Sequence, residues 1–165
     1  MSLPLLGSAM AHGEAPPEPG SLDAITARIE ALKREHDVFV IAHNYQYPEV
    51  QAVADARGDA LEVSLAAARA EQPNILFCGV DFMAETAKLI NPGKRVMIPD
   101  DRALCPLAAM SDVEGLRLLQ ERYPRAAVVA YMNSSAAVKA EADICCAAAN
   151  AVAVCRQVEA DEIIF

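Results

Sequence analysis

The sequence has no tryptophan, four phenylalanines, four tyrosines and three histidines in 165 residues. Large rings therefore contribute little to the core, and small side chains take their place. About one residue in five is Ala, well above ordinary usage, which favours close packing of helices on strands or on one another. Basic residues are also few: 14 Lys+Arg against 23 Asp+Glu leave a net charge of -9. A binder of nucleic-acid backbones needs a basic face, so no nucleic-acid partner is expected. No apolar run reaches the ~18 residues of a membrane helix, so no membrane partner is expected either. The apolar patch Leu3 to Leu6 has no Lys or Arg before it and lacks the charged start of a signal peptide. The five cysteines are odd in number and form no C-x-x-C pair, which argues against a secreted disulfide framework. The expected compartment is a reducing cytoplasm. No Walker-type loop and no G-x-G-x-x-G occurs.

What is present is a globular composition, 54% hydrophobic and 22% charged. Residues 1–20, rich in Pro and Gly, are expected to form a tail outside the fold. Ser21 is a plausible N-cap for a helix carrying Leu22, Ile25, Ile29 and Leu32. Val38-Phe39-Val40-Ile41-Ala42 is short, β-branched and unalternating, as suits a strand of a parallel sheet buried on both faces. Pro48 opens a second helix, and another runs from about Ala60 to Ala70. Asn74 to Gly79 reads as a strand, Phe82 to Ile90 as a helix and Arg95 to Ile98 as a strand. A helix at 112–122 and a strand at 126–130 follow. Then come helix 135–141, strand 143–146, helix 149–158 and strand 162–165. Strands alternating with helices specify an α/β protein with parallel sheets.

The two halves resemble each other. Val40 to Tyr45 is similar to Val128 to Asn133, and Val50 to Asp55 to Ala137 through Asp143. Pro73 to Cys78 then matches Ala142 to Ala147, and Arg95 to Ile98 matches Glu162 to Phe165, the second copy lacking one helix. This reading gives a duplicated β-α-β-α-β unit. The domains are a first repeat over 21–110 and a second over 111–165, incomplete at its C-terminal end because the chain stops in an apolar strand.

Ligands of open α/β sheets bind at the carboxyl ends of the strands. That rule collects His43, Asn44 and Tyr45 from one copy and Tyr131, Asn133 and Ser134 from the other. It also collects Cys78, Asp81, Asp100, Asp101 and Cys105. His and Tyr move protons, and the Asn amide can hold a carboxylate or carbonyl. A capping or structural role for His43 and a packing role for Tyr45 stay open. Cys105, in the loop Ala103 to Leu107, is a nucleophile, a metal ligand or an incidental thiol. Cys78, Cys145, Cys146 and Cys155 read most simply as small buried hydrophobes.

Four segments carry a family resemblance. They are Ile41-Ala42-His43-Asn44-Tyr45-Gln46, Phe77 to Lys88, Leu104-Cys105-Pro106-Leu107-Ala108 and Tyr131 to Ala140. In this order, within a match from about residue 22 onward, they resemble the quinolinate synthase family. The resemblance implies three small α/β/α domains around a pseudo-threefold axis, of which about one and two-thirds are present here. It implies a [4Fe–4S] cluster held by three cysteines, one per domain, with the fourth iron open as a Lewis acid. It implies a transferase of NAD biosynthesis that condenses iminosuccinate with dihydroxyacetone phosphate to quinolinate. A possible partner is the L-aspartate oxidase that supplies iminosuccinate. Residue by residue, Cys105 matches a cluster ligand, and His43 and Tyr45 match groups that hold substrate and move protons. Tyr131 and Asn133 match contacts to the substrate carboxylates.

Three departures accompany the resemblance. The chain is about half the family's length, so the other two ligand cysteines and a third-domain His-x-Glu motif are absent. Ala60 and Ala148 stand where the family usually has serines that contact carboxylates. Each lost hydroxyl is worth about 1 kcal/mol of binding. One cysteine cannot hold a cluster that needs three, so the expectation is that this chain alone is inactive. The alternative to a piece of a live enzyme is a decayed or split-gene product, at most binding small anions or acting with a partner chain.

Overall fold

The computed structural model describes residues 20–165, so the tail expected at 1–20 lies, apart from Gly20, outside the described residues. The chain divides after Ala103 into two compact units.

The first unit is built on β1 (Val38–His43), β2 (Ala56–Gly58), β3 (Asn74–Cys78) and β4 (Arg95–Met97), in the sheet order β2-β1-β3-β4. All its pairings are parallel. Its helices are α1 (Leu22–Glu35), α2 (Pro48–Ala52), α3 (Ala60–Arg69) and α4 (Asp81–Ile90). Their limits follow from local chemistry. Ser21 caps α1 by accepting the Ala24 N–H, and Pro48 takes the first turn of α2, where its missing N–H costs nothing. Asp59 accepts the N–H groups of Leu61 and Glu62 while Glu62 Oε2 accepts that of Asp59, a reciprocal box that starts α3. The Asn91 amide donates to Ala87 O (2.9 Å) and Ser64 O (3.1 Å), tying the end of α4 to α3. The core gathers Ile41, Val63, Ile75, Phe77, Ala87 and Val96, all nearly inaccessible. The alanines of α3 and α4 let these helices lie close to each other.

The second unit contains α5 (Val113–Arg122), β5 (Ala127–Tyr131), α6 (Ala136–Ala140), β6 (Ile144–Cys146), α7 (Ala151–Gln157) and β7 (Ile163–Ile164). Its sheet order is β6-β5-β7, again with parallel pairing. Val128, Val129, Ala130, Val138 and Cys146 are buried. The α/β class with parallel sheets is thus what the sequence pattern specifies.

The units repeat each other with a constant offset of 88 residues. Ile41 pairs with Ala56 as Val129 pairs with Ile144, and Val40 pairs with Leu76 as Val128 pairs with Ile164. Asp55 Oδ2 accepts the Val40 N–H at 2.7 Å, and Asp143 Oδ2 accepts that of Val128 at 2.8 Å. Asn44 N–H donates to Gly58 O, and Met132 N–H to Cys146 O. The offset corrects part of the sequence alignment. β6 is the counterpart of β2, not of β3; β7 is the counterpart of β3, not of β4; and the second copy keeps the helix thought missing, as α7. The error has a physical source. β2 is Ala-Arg-Gly, with no apolar pattern, and is a strand only because β1 pairs with it. Without it the comparison slid by one strand.

Candidate functional site

The strand-end residues of the first unit form a compact group. His43 closes β1 and is 7% exposed. Its Nδ1 accepts the Tyr45 N–H at 3.3 Å, and the two rings meet edge to face with centroids 4.6 Å apart. An accepting Nδ1 places the proton of the neutral imidazole on Nε2. Burial pushes the His43 pKa below its ordinary value, against the opposing pull of Asp59. At neutral pH His43 is therefore an uncharged ring able to donate from Nε2. Tyr45 is 89% exposed, so its phenol is free to meet a ligand. Two further bonds hold the turn between them: Gln46 N–H donates to His43 O (3.0 Å), and the Gln51 amide donates to Asn44 O (3.2 Å) and Gln46 O (2.8 Å). Ala60, the buried first residue of α3, lies beside the Asp59 box.

In the second unit Tyr131 closes β5, 88 residues after His43, and Asn133 stands where Tyr45 does. Tyr131, Asn133 and Ser134 line a cavity of about 480 Å³ walled by Leu116, Val129 and Val138. A cavity of the first unit, about 490 Å³ and mostly apolar, is lined by Ile25, Val40, Gln46 and Leu76 but not by His43 or Tyr45. Lys139, 88 residues after Gln51, donates to Ser134 O at 2.7 Å. Ala148 is exposed and is the counterpart of Ala60. Cys105 lies half-buried in the loop ahead of a short 3-10 turn, and its carbonyl accepts the Ala109 N–H.

The remaining strand-end residues divide clearly. Burial pushes the Cys78 thiol up to about 11, so it is protonated at neutral pH and a poor nucleophile. Asp100 is paired with Arg102, whose guanidinium pulls its pKa down to about 2. Ser134 is buried and donates to Tyr131 O, a structural bond. Asp81 Oδ1 is buried without a hydrogen-bond partner. Cys146 is buried as expected, but Cys145 is exposed, as is Ile144, because only the last residue of β6 is covered. Sequence reasoning missed Asp59, Gln51 and Lys139. The repeat offset is the signal that finds the last two.

Among the described residues no group of three or more His, Cys, Asp or Glu side chains is placed to hold a metal ion. Cys105 alone is one sulfur ligand, and a [4Fe–4S] cluster held by three cysteines does not fit this donor set. No described helix is long and apolar enough to cross a membrane.

Parallel strands, the first ending in the His43–Tyr45 pair and its repeat carrying Tyr131 and Asn133 at the equivalent positions, define an α/β protein with polar groups at the strand ends of each unit. Residues 27–165 match the family described as Quinolinate synthetase A protein, and the chain belongs to that family. It is 51% identical over 134 residues to a quinolinate synthase of Methanoregula boonei, covering 81% of this chain and 44% of the relative. A quinolinate synthase of Methanothermobacter thermautotrophicus is 48% identical over 145 residues (87% and 48%). One from Mycobacterium sp. (strain KMS) is 50% identical over 140 residues (84% and 42%). The chain spans less than half the length of these curated relatives.

Proposed function

We propose that this chain supplies part of the active site of a quinolinate synthase, a transferase of NAD biosynthesis that condenses iminosuccinate with dihydroxyacetone phosphate. The observation that carries the reading is the buried, neutral His43 held against the exposed Tyr45 at the end of β1. In it, His43 donates from Nε2 to a substrate oxygen and Tyr45 presents its hydroxyl for proton transfer. In the second unit, Tyr131 and the Asn133 amide, which line that unit's cavity, are the groups suited to hold a carboxylate. Cys105 would be one ligand of a [4Fe–4S] cluster completed by ligands from elsewhere, and such a cluster, when bound, would supply an open iron as Lewis acid. Iminosuccinate would come from an L-aspartate oxidase, and the compartment would be the cytoplasm.

The test is a chimera in which residues 20–165 replace the matching part of the Methanothermobacter relative. Growth of a nicotinate-requiring strain on the chimera supports the reading, provided that the His43→Ala chimera fails. A folded chimera that restores no growth contradicts it.

A second reading, a catalytically silent product, is favoured by one observation: Ala60 and Ala148 occupy equivalent places, so both expected hydroxyls are missing from the same position of the repeat. Ala60→Ser and Ala148→Ser in the chimera separate the two. A gain of growth only with both serines favours the silent product. The chain by itself is expected to form no stoichiometric cluster and no quinolinate on anaerobic reconstitution with iron and sulfide.

A further inference from the structure

We propose that Gln51 is a positioning residue, holding the 44–46 turn so that the Tyr45 N–H fixes the His43 tautomer, and that Lys139 holds the equivalent turn of the second unit. The functional weight of this inference rests on the reading of His43 and Tyr45 given above.

The two hydrogens of the Gln51 amide are divided between the carbonyls on either side of Tyr45, those of Asn44 and Gln46. The turn needs such a clamp. It contains no glycine, the Tyr47 side chain makes no capping bond to α2, and the Tyr45 side chain is almost fully exposed. The Asn44 N–H and Gln46 N–H bonds fix the two flanking amides, and Gln51 fixes the carbonyls of the same two residues. The Tyr45 amide is thereby aimed back at His43 Nδ1.

The second unit solves the same problem with a different side chain. Lys139 is offset from Gln51 by the repeat distance, and its ammonium reaches Ser134 O, the counterpart of Gln46 O. Both bonds run from the first helix after the central strand to a carbonyl five residues earlier. Two side chains with nothing in common but N–H donors meet the same backbone atom. Donation to that carbonyl is therefore the feature the fold requires, whichever residue provides it.

The test uses the full chain labelled with 15N-histidine, with the His43 signals assigned by their loss in His43→Gln. The expected wild-type spectrum shows one neutral tautomer, protonated on Nε2. Gln51→Met keeps the length of the side chain and removes the donors. It is expected to return His43 to the mixed tautomers of a free imidazole and to speed exchange of the Tyr45 amide on the order of fivefold, the worth of one hydrogen bond. Gln51→Lys copies the second unit and is expected to restore the single tautomer. The tether is overturned if folded Gln51→Met keeps the wild-type His43 spectrum, or if Gln51→Lys loses the single tautomer. The reading of His43 as a substrate group fails separately, if the His43→Ala chimera still supports growth.

Discussion

In the first unit α3 buries Ala60, Val63, Ser64 and Ala67 and starts on the Asp59–Glu62 box; in the second, α7 buries nothing and starts three residues later in the repeat. The backbone plan is the same in both, down to the pairing register. Two differences account for the contrast. Asp59 is replaced by Ala147, which has no side-chain oxygen to accept first-turn N–H groups, although Asn150 Oδ1 still accepts the Ala147 N–H as Glu62 accepts that of Asp59. In addition, α4 lies on α3 in the first unit, and Asn91 pins the two together. Phe77 is fully buried, whereas its counterpart Phe165 is 69% exposed. Register is therefore set by the strand residues and the Asp55/Asp143 bond, while stability is set by what covers the sheet and the helix.

The largest expected effect tests that division. Phe77→Ala should cost about 3–5 kcal/mol in denaturant unfolding, and Phe165→Ala about 0.5 kcal/mol or less. Comparable losses would mean that the units are equally packed. Next are the two aspartates. Asp55→Ala removes the Val40 bond and one of the two carboxylates that pair with Lys33, leaving it Glu30 and Val53 O, so about 1–2 kcal/mol is expected. Asp143→Ala should cost about 1 kcal/mol. Helix starts give a smaller pair: Asp59→Ala should lose about 1 kcal/mol, and Ala147→Asp should gain up to about 1 kcal/mol, with a matching rise in helical circular dichroism. A null result for Ala147→Asp would show that the short α7 is not a capping defect.

The smallest effect is on pH dependence. His43 has a lowered pKa in the folded state, so below the ordinary value of about 6.5 the unfolded chain takes up a proton that the folded chain resists. Stability from this source is whole above pH 6.5 and declines as pH falls from there toward the folded pKa. Unfolding curves for His43→Gln should lack that part of the decline. If wild type and variant run parallel through this range, burial does not hold His43 neutral.

Much of the fold was legible. Val38 to Ala42 announces a buried strand by its β-branched run, Ser21 and Pro48 mark helix starts, and the strand-end rule picked out His43, Tyr45, Tyr131 and Asn133. The illegible parts depend on pairing and on backbone. Ala-Arg-Gly at β2 has no signature of its own, and losing it displaced the alignment of the repeats. Gln51 and Lys139 are unlike in sequence because each acts on a carbonyl, and any donor of the right reach serves. The exposure of Cys145 follows from how little of β6 is covered, which a three-residue strand does not reveal.

The central claim is that one backbone plan is present twice, with a finished core in the first unit and a thinly covered one in the second. Native-state amide hydrogen exchange tests it most directly. The account predicts that amides of β1 and β3 exchange slowest and those of β5, β6 and β7 markedly faster. Equal protection at Phe39 and Ala127, or at Ile75 and Ile163, would contradict it.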